Sequence, residues 1–184
     1  VGSEMCIRDS SGQSGETVHK FLGKVDLKDT QQMEALKDSF CSSYANSKVE
    51  NMMVITRNGE VHYMTDNNPR GVDCSYLGGK LKGSYNIHTH PPDTTQYSFS
   101  TDTDIPAAFA DGTRIMEAVD YKYRYQFAVP REITFEQWET VCEEVREEQN
   151  AVMASRGYGF DDYEENIQHV IICLLYTSDA ADEL

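Results

Sequence analysis

At 184 residues with 39% apolar content, the chain has enough material for one cored domain and too little for two comfortable ones. Its 31 acidic against 16 basic residues give a formal net charge of −15, a field that repels phosphate backbones and anionic lipid surfaces, so neither nucleic acid nor a membrane is expected as partner. No stretch approaches the roughly 18 to 20 apolar residues of a membrane helix, and the N-terminus lacks the basic-then-apolar order of a secretory signal, so a cytoplasmic protein is expected.

Cysteines stand at positions 6, 41, 74, 142 and 173, with no C-x-x-C spacing. Neither a zinc knuckle nor a redox pair is indicated, and free thiols in a reducing compartment are the simplest account. Residues 1–14 read as an N-terminal tail, 15–160 as the domain and 161–184 as a C-terminal tail. The first ten residues, and the stretch from Cys173 to Leu184, resemble translated sequencing-adaptor read-through from bulk environmental DNA. No function is assigned to either end.

In chain order, Ser11 to Glu16 reads as a polar, glycine-containing linker. Met33, Leu36, Lys37 and Phe40 recur near the helical period after an Asp-Thr cap, predicting a helix over Asp29 to Phe40. Met52 to Thr56 and Glu60 to Met64 flank Arg57-Asn58-Gly59. This is a hairpin signal, since Asn-Gly suits a turn whose two central residues take positive φ. Asn67 to Gly71 is a loop, and Cys74 to Lys82 a short helix weakened by Gly78 and Gly79. Ser84 to His90 is a strand stopped by Pro91 and Pro92.

A helix is predicted from Asp102 to Asp111, with Ile105, Ala108 and Phe109 facing inward, and strands over Arg114 to Val119 and Tyr123 to Val129. The aromatic run Tyr121, Tyr123, Tyr125, Phe127 reads as a half-buried strand face. Thr134 caps a long charged helix to about Arg156, with Phe135, Trp138, Val141, Cys142 and Val145 as its apolar stripe. This order predicts an α+β or mixed α/β fold around one central sheet flanked by helices.

The informative segment is Asn86-Ile87-His88-Thr89-His90-Pro91. Alternate side chains of a strand share a face, so His88 and His90 project together and two imidazoles can meet one metal. Downstream, the segment from Ser98 to Ile105 contains Asp102 and Asp104, either of which offers a carboxylate toward the strand end. Two nitrogens, one oxygen and an open fourth position are the ligand set of a catalytic zinc. A water activated there needs a base that is not a ligand. Glu50 and Glu60 both qualify by spacing.

Three segments in order, Lys48 to Gly59, Leu81 to Pro91 and Phe99 to Ile105, resemble the JAMM (MPN, JAB-like) metalloprotease pattern. The resemblance is nearest to its prokaryotic and phage-associated branch and covers roughly residues 48 to 130. It implies a cytidine-deaminase-like sheet with helices and a single catalytic zinc on His88 and His90. It also implies Glu50 as acid/base, a ligand aspartate three residues after an oxyanion-stabilising serine, and hydrolysis of a peptide or isopeptide bond in a protein or peptide substrate. The chain departs from the serine spacing. Asp104, with Thr101 three residues before it, is the preferred ligand, Asp102 the second choice, and Ser100 a further hydroxyl near the site. Pro106 fits only the first helical turn and moves the helix start to about Asp102 or later.

Barrel hydrolases with an H-x-H strand, of the amidohydrolase and polymerase-histidinol-phosphatase types, need more downstream histidines than the single His169 and a barrel of about 250 residues. A second reading is a catalytically inactive MPN-like scaffold or binding module, including a fragment of a larger phage or toxin-like protein. Zinc stoichiometry separates the two.

Overall fold

The computed structural model describes residues 16–92, 99–100 and 103–156. The readings of both tails, of Ser98, and of Thr101 and Asp102 as site residues lie outside the described residues. The chain divides into two compact units, Val1–Val129 and Pro130–Leu184.

The first unit contains β1 (Val18–Lys24), α1 (Thr30–Tyr44), β2 (Met52–Ile55), β3 (Glu60–Thr65), a 3-10 segment (Ser75–Leu81), β4 (Tyr85–Thr89), α2 (Asp104–Asp111), β5 (Ile115–Val119) and β6 (Arg124–Ala128). The strands form one six-stranded mixed sheet in the order β1-β3-β2-β4-β5-β6. Only β4 and β5 pair in parallel, as the α2 crossover between them requires. The fold is α+β.

β1 escaped the sequence reading for a physical reason. It is an edge strand whose residues from His19 to Leu22 are all exposed, so no alternation of apolar and polar positions marks it. The hairpin between β2 and β3 stands where expected, with a different turn. Gly59 takes φ 79° while Asn58 does not enter the positive region, and Gly59 N donates to Thr56 O at 2.9 Å and Thr56 N to Glu60 O at 2.9 Å. This is a three-residue loop ending in a left-handed glycine. Glycine is required twice over there, because a Cβ on it would meet Val25 O at 2.2 Å.

The two faces of the sheet are covered differently. Met53, Ile55, Val61, Ile87 and Val119 point to one face, where Phe40, Met33 and Leu36 of α1 pack on them. Asp29 caps α1, its carboxylate accepting from Gln32 N at 3.0 Å. Val54 and Met64 point to the other face and pack with Val72, Cys74, Leu77 and Leu81. The 3-10 segment covers them in place of the short helix read from Cys74 to Lys82, because Gly78 breaks it at φ 50°, ψ −129°. On this face β4 carries Asn86 and His88. Asn86 is buried but satisfied: Ser84 Oγ donates to its Oδ1 at 2.8 Å, and its Nδ2 donates to Thr113 Oγ1 at 3.1 Å.

α2 begins at Asp104, so Pro106 falls in its first turn, and it buries Asp104, Ile105 and Ala108 while Phe109 is only half-buried. In β6 and the turn before it, Phe127 is buried and Tyr125 half-buried, but Tyr121 and Tyr123 are exposed. The aromatic run is thus half-buried at its C-terminal end only. In the second unit, α3 (Phe135–Arg156) starts with a reciprocal cap. Gln137 N donates to Thr134 Oγ1 at 3.2 Å and Thr134 N donates to Gln137 Oε1 at 2.8 Å.

Candidate metal centre

β2 and β4 run antiparallel with Met52 opposite His88. Thr89 N donates to Asn51 O at 3.0 Å, and Asn51 N donates to Thr89 Oγ1 at 3.0 Å. Continuing that register by two residues sets Glu50 opposite His90, on the same face as both histidines. Directly opposed residues of an antiparallel pair have Cβ atoms about 4.5–5.5 Å apart. The hairpin, far from the histidines in sequence, thereby delivers a carboxyl to the end of β4. Glu60, the other acid allowed by spacing, sits at the opposite end of the hairpin in ion pairs with Lys80 and Lys24.

The third component comes from α2. Asp104 is its first residue, and its Oδ2 accepts a hydrogen bond from Ser100 N at 2.8 Å. Ser100 thus meets the Asp104 carboxylate through its backbone N–H. The same oxygen stands 3.6 Å from His88 Nε2 and 3.6 Å from His90 Nε2, and the two Nε2 atoms are 3.0 Å apart. His88, His90 and Asp104 are all buried and together can hold a metal ion. Phe99, fully buried, packs its ring 6.4 Å from the His88 ring and 5.9 Å from Phe127, closing the apolar side.

The donor set tests well against a divalent cation. Two facing imidazole nitrogens at 3.0 Å can share one proton at most, whereas a cation takes a lone pair from each. The triangle formed by the two nitrogens and Oδ2 has a circumscribed radius of about 2.0 Å, and zinc bonds nitrogen and carboxylate oxygen at about 2.0–2.2 Å. One ion can therefore reach all three. Ligation through Nε2 fixes the proton on Nδ1 of each ring. His88 Nδ1 is buried and finds no hydrogen-bond partner among the described residues, a departure from the outer-sphere acceptor usual behind a ligating histidine.

Electrostatics separate the two carboxyls. Burial pushes the Asp104 carboxyl up, but the adjacent imidazoles outweigh it and hold the group far below the usual carboxylate range. Burial drives the Glu50 carboxyl well above its ordinary value, and the Asp104 charge adds to that rise. Burial also lowers His90, against the upward pull of Asp104. Side by side stand one acid that stays ionised and one that favours holding a proton, the pattern of a ligand next to a proton carrier.

The structure thus brings His88, His90, Asp104 and Ser100 into contact and sets Glu50 across from His90. Asp120 was missed. The parallel register of β4 and β5, with His90 N donating to Val119 O at 2.8 Å, carries it alongside His90. Only the pairing of β4 with β5 reveals this, since the two residues are 30 apart in sequence. No protein-family model, curated protein or solved structure matches this chain.

Proposed function

We propose that the protein is a zinc-dependent hydrolase of JAMM/MPN type that cleaves peptide or isopeptide bonds, with His88, His90 and Asp104 as metal ligands and Glu50 as the acid/base. One observation carries the reading: three buried donors spaced for a single ion, with the buried Glu50 carboxyl close enough to feel the Asp104 charge and, by extension of the β2–β4 register, on the same sheet face. The order of the three resembling segments supports the same assignment.

His88, His90 and Asp104 would hold the zinc ion, which when bound would supply Lewis acidity to the scissile carbonyl and lower the pKa of an attacking water. Glu50, as the carboxylate, takes the proton from the attacking water and later delivers it to the leaving amine, a task suited to a carboxyl whose burial raises its affinity for a proton. The Ser100 N–H holds Asp104 in its ligating orientation. Phe99 excludes water from behind His88. The hydroxyls of Ser100 and Thr101 are the donors assigned to the developing oxyanion.

The test pairs metal analysis with hydrolysis of a peptide and an isopeptide substrate. Wild type is expected to hold one zinc per chain and to cut. Glu50→Gln should keep the zinc and lose at least about a hundredfold in rate, the scale of a general base. His88→Ala should lose both. A Glu50→Gln protein that still hydrolyses at the wild-type rate overturns the assignment, and a folded wild-type chain that takes up no zinc favours the non-catalytic binding module.

A further inference from the structure

Past His90, the row of side chains on the metal face continues across two more strands. The parallel register matches His88 with Ala118, and therefore His90 with Asp120. Across β5 and β6, Ala118 pairs with Tyr125, and Asp120 N donates to Tyr123 O at 3.0 Å. Glu50, His90, Asp120 and Tyr123 thus stand abreast on one face, each about 4.8 Å from the next by strand spacing, with Tyr125 one row behind.

Asp120 is held rigidly. Its Oδ1 accepts from the backbone N–H groups of Lys122 and Tyr123 at 2.6 and 2.5 Å, and its Oδ2 accepts from Tyr125 Oη at 3.5 Å. A carboxylate oxygen accepts two hydrogen bonds, so Oδ2 retains capacity for a further donor. Beside it the rings of Tyr123 and Tyr125 are 6.0 Å apart, and Tyr123 is 61% exposed. Such an exposed aromatic edge attracts cations through its π faces. The neighbouring ring of Tyr121 already holds one, the chain's own Lys122 Nζ at 5.0 Å from its centroid.

We propose that Asp120, Tyr123 and Tyr125 form a subsite for a basic side chain, lysine or arginine, next to the bond presented to the metal centre. The ammonium or guanidinium bonds Asp120 Oδ2, and the aliphatic stem lies along the tyrosine rings. An apolar guest would desolvate the Asp120 carboxylate without offering its Oδ2 a further donor, so the site discriminates for a cation. The chain's net charge of −15 favours the approach of such a substrate. The subsite's place beside a scissile bond rests on the hydrolase reading; its preference for a cation does not.

Binding is therefore measured apart from turnover, on the zinc-loaded full chain carrying Glu50→Gln. The probes are fluorescein-labelled octapeptides identical except for Arg, Gln or Glu at one central position, read by anisotropy. The Arg peptide is expected to bind about tenfold more tightly than the Gln peptide, one charge-assisted hydrogen bond by the usual scale, with Glu weaker still. Adding Asp120→Asn should cut the Arg preference below about twofold. Exposed Tyr123, replaced by Ala, should lower it several-fold without touching the Asp120 turn. Asp26→Asn removes the same charge beside the β2–β3 turn, at the other end of the strands, and should leave the preference unchanged. Equal or undetectable binding of Arg and Gln peptides, or a preference that survives Asp120→Asn and Tyr123→Ala, overturns the subsite. A wild-type chain that prefers Arg yet cuts nothing would retain the subsite and remove the hydrolase.

Discussion

Asp111 ends α2 with a carboxyl at the negative pole of the helix, half-buried and 4.0 Å from Cys74 Sγ. Burial pushes its pKa up to about 6. The folded state therefore prefers the protonated acid, while an unfolded aspartate ionises near 4. Its contribution to stability is complete below about pH 4, is lost as pH rises toward 6, and stays lost above that. Asp111→Asn is accordingly expected to raise stability by roughly 1 kcal/mol at pH 7.5, after discounting for solvent screening, and to change nothing at pH 4. Denaturant midpoints at the two pH values would show it, and an equal effect at both would exclude ionisation as the cause.

Among elements, the contact of α1 with β5 is the most exposed to single changes. Lys37 is buried on α1 and bonds Glu117 Oε1 at 3.2 Å, while Arg124 of β6 also bonds Glu117, which is 1% exposed. Lys37 further lies 4.8 Å over the Tyr85 ring. Removing Glu117 leaves Lys37 paired with Glu34, and Arg124 with Glu34 and Asp38, so Glu117→Ala costs the lost buried hydrogen bonds, about 1–3 kcal/mol. The pair Lys37→Met with Glu117→Leu fills the same space without charge and should recover most of the loss. Urea titrations of the two singles and the double measure this directly, and simple additivity would show that the ion pair does not couple α1 to the sheet.

For the molecule as a whole, an ion held by His88, His90 and Asp104 would tie β4 to α2, and so stabilise the fold by mass action. Zinc at a hundred times its dissociation constant should add about 2.7 kcal/mol, which for a chain of this size moves the melting temperature upward by about 5–10 °C. Scanning calorimetry with zinc and with a chelator checks the shift. The same scan on His88→Ala should show none, and a shift of equal size there would mean that zinc acts elsewhere. Among the described residues, no helix is long and apolar enough to cross a membrane.

Much of this arrangement was legible in the residues themselves. The helical period of Met33, Leu36, Lys37 and Phe40, the hairpin though not its turn type, the strand stop before Pro91-Pro92 and the paired histidines His88 and His90 at the end of β4 are local signals, each set by interactions a few residues long. Lys37 even keeps its place in the apolar stripe, buried by an ion pair that sequence does not disclose. β1 was not legible, because an exposed edge strand carries no burial period. Glu50 could not be separated from Glu60 by spacing; family resemblance selected it, and strand register set it across from His90. Asp120 joined the row only through the pairing of β4 with β5. Sequence by itself determined which side chains share a strand face, since that follows from backbone alternation. Which strands lie side by side, and so which carboxyls meet the histidines, was decided by tertiary structure, because sheet pairing brings together residues whose separation along the chain leaves no periodic trace.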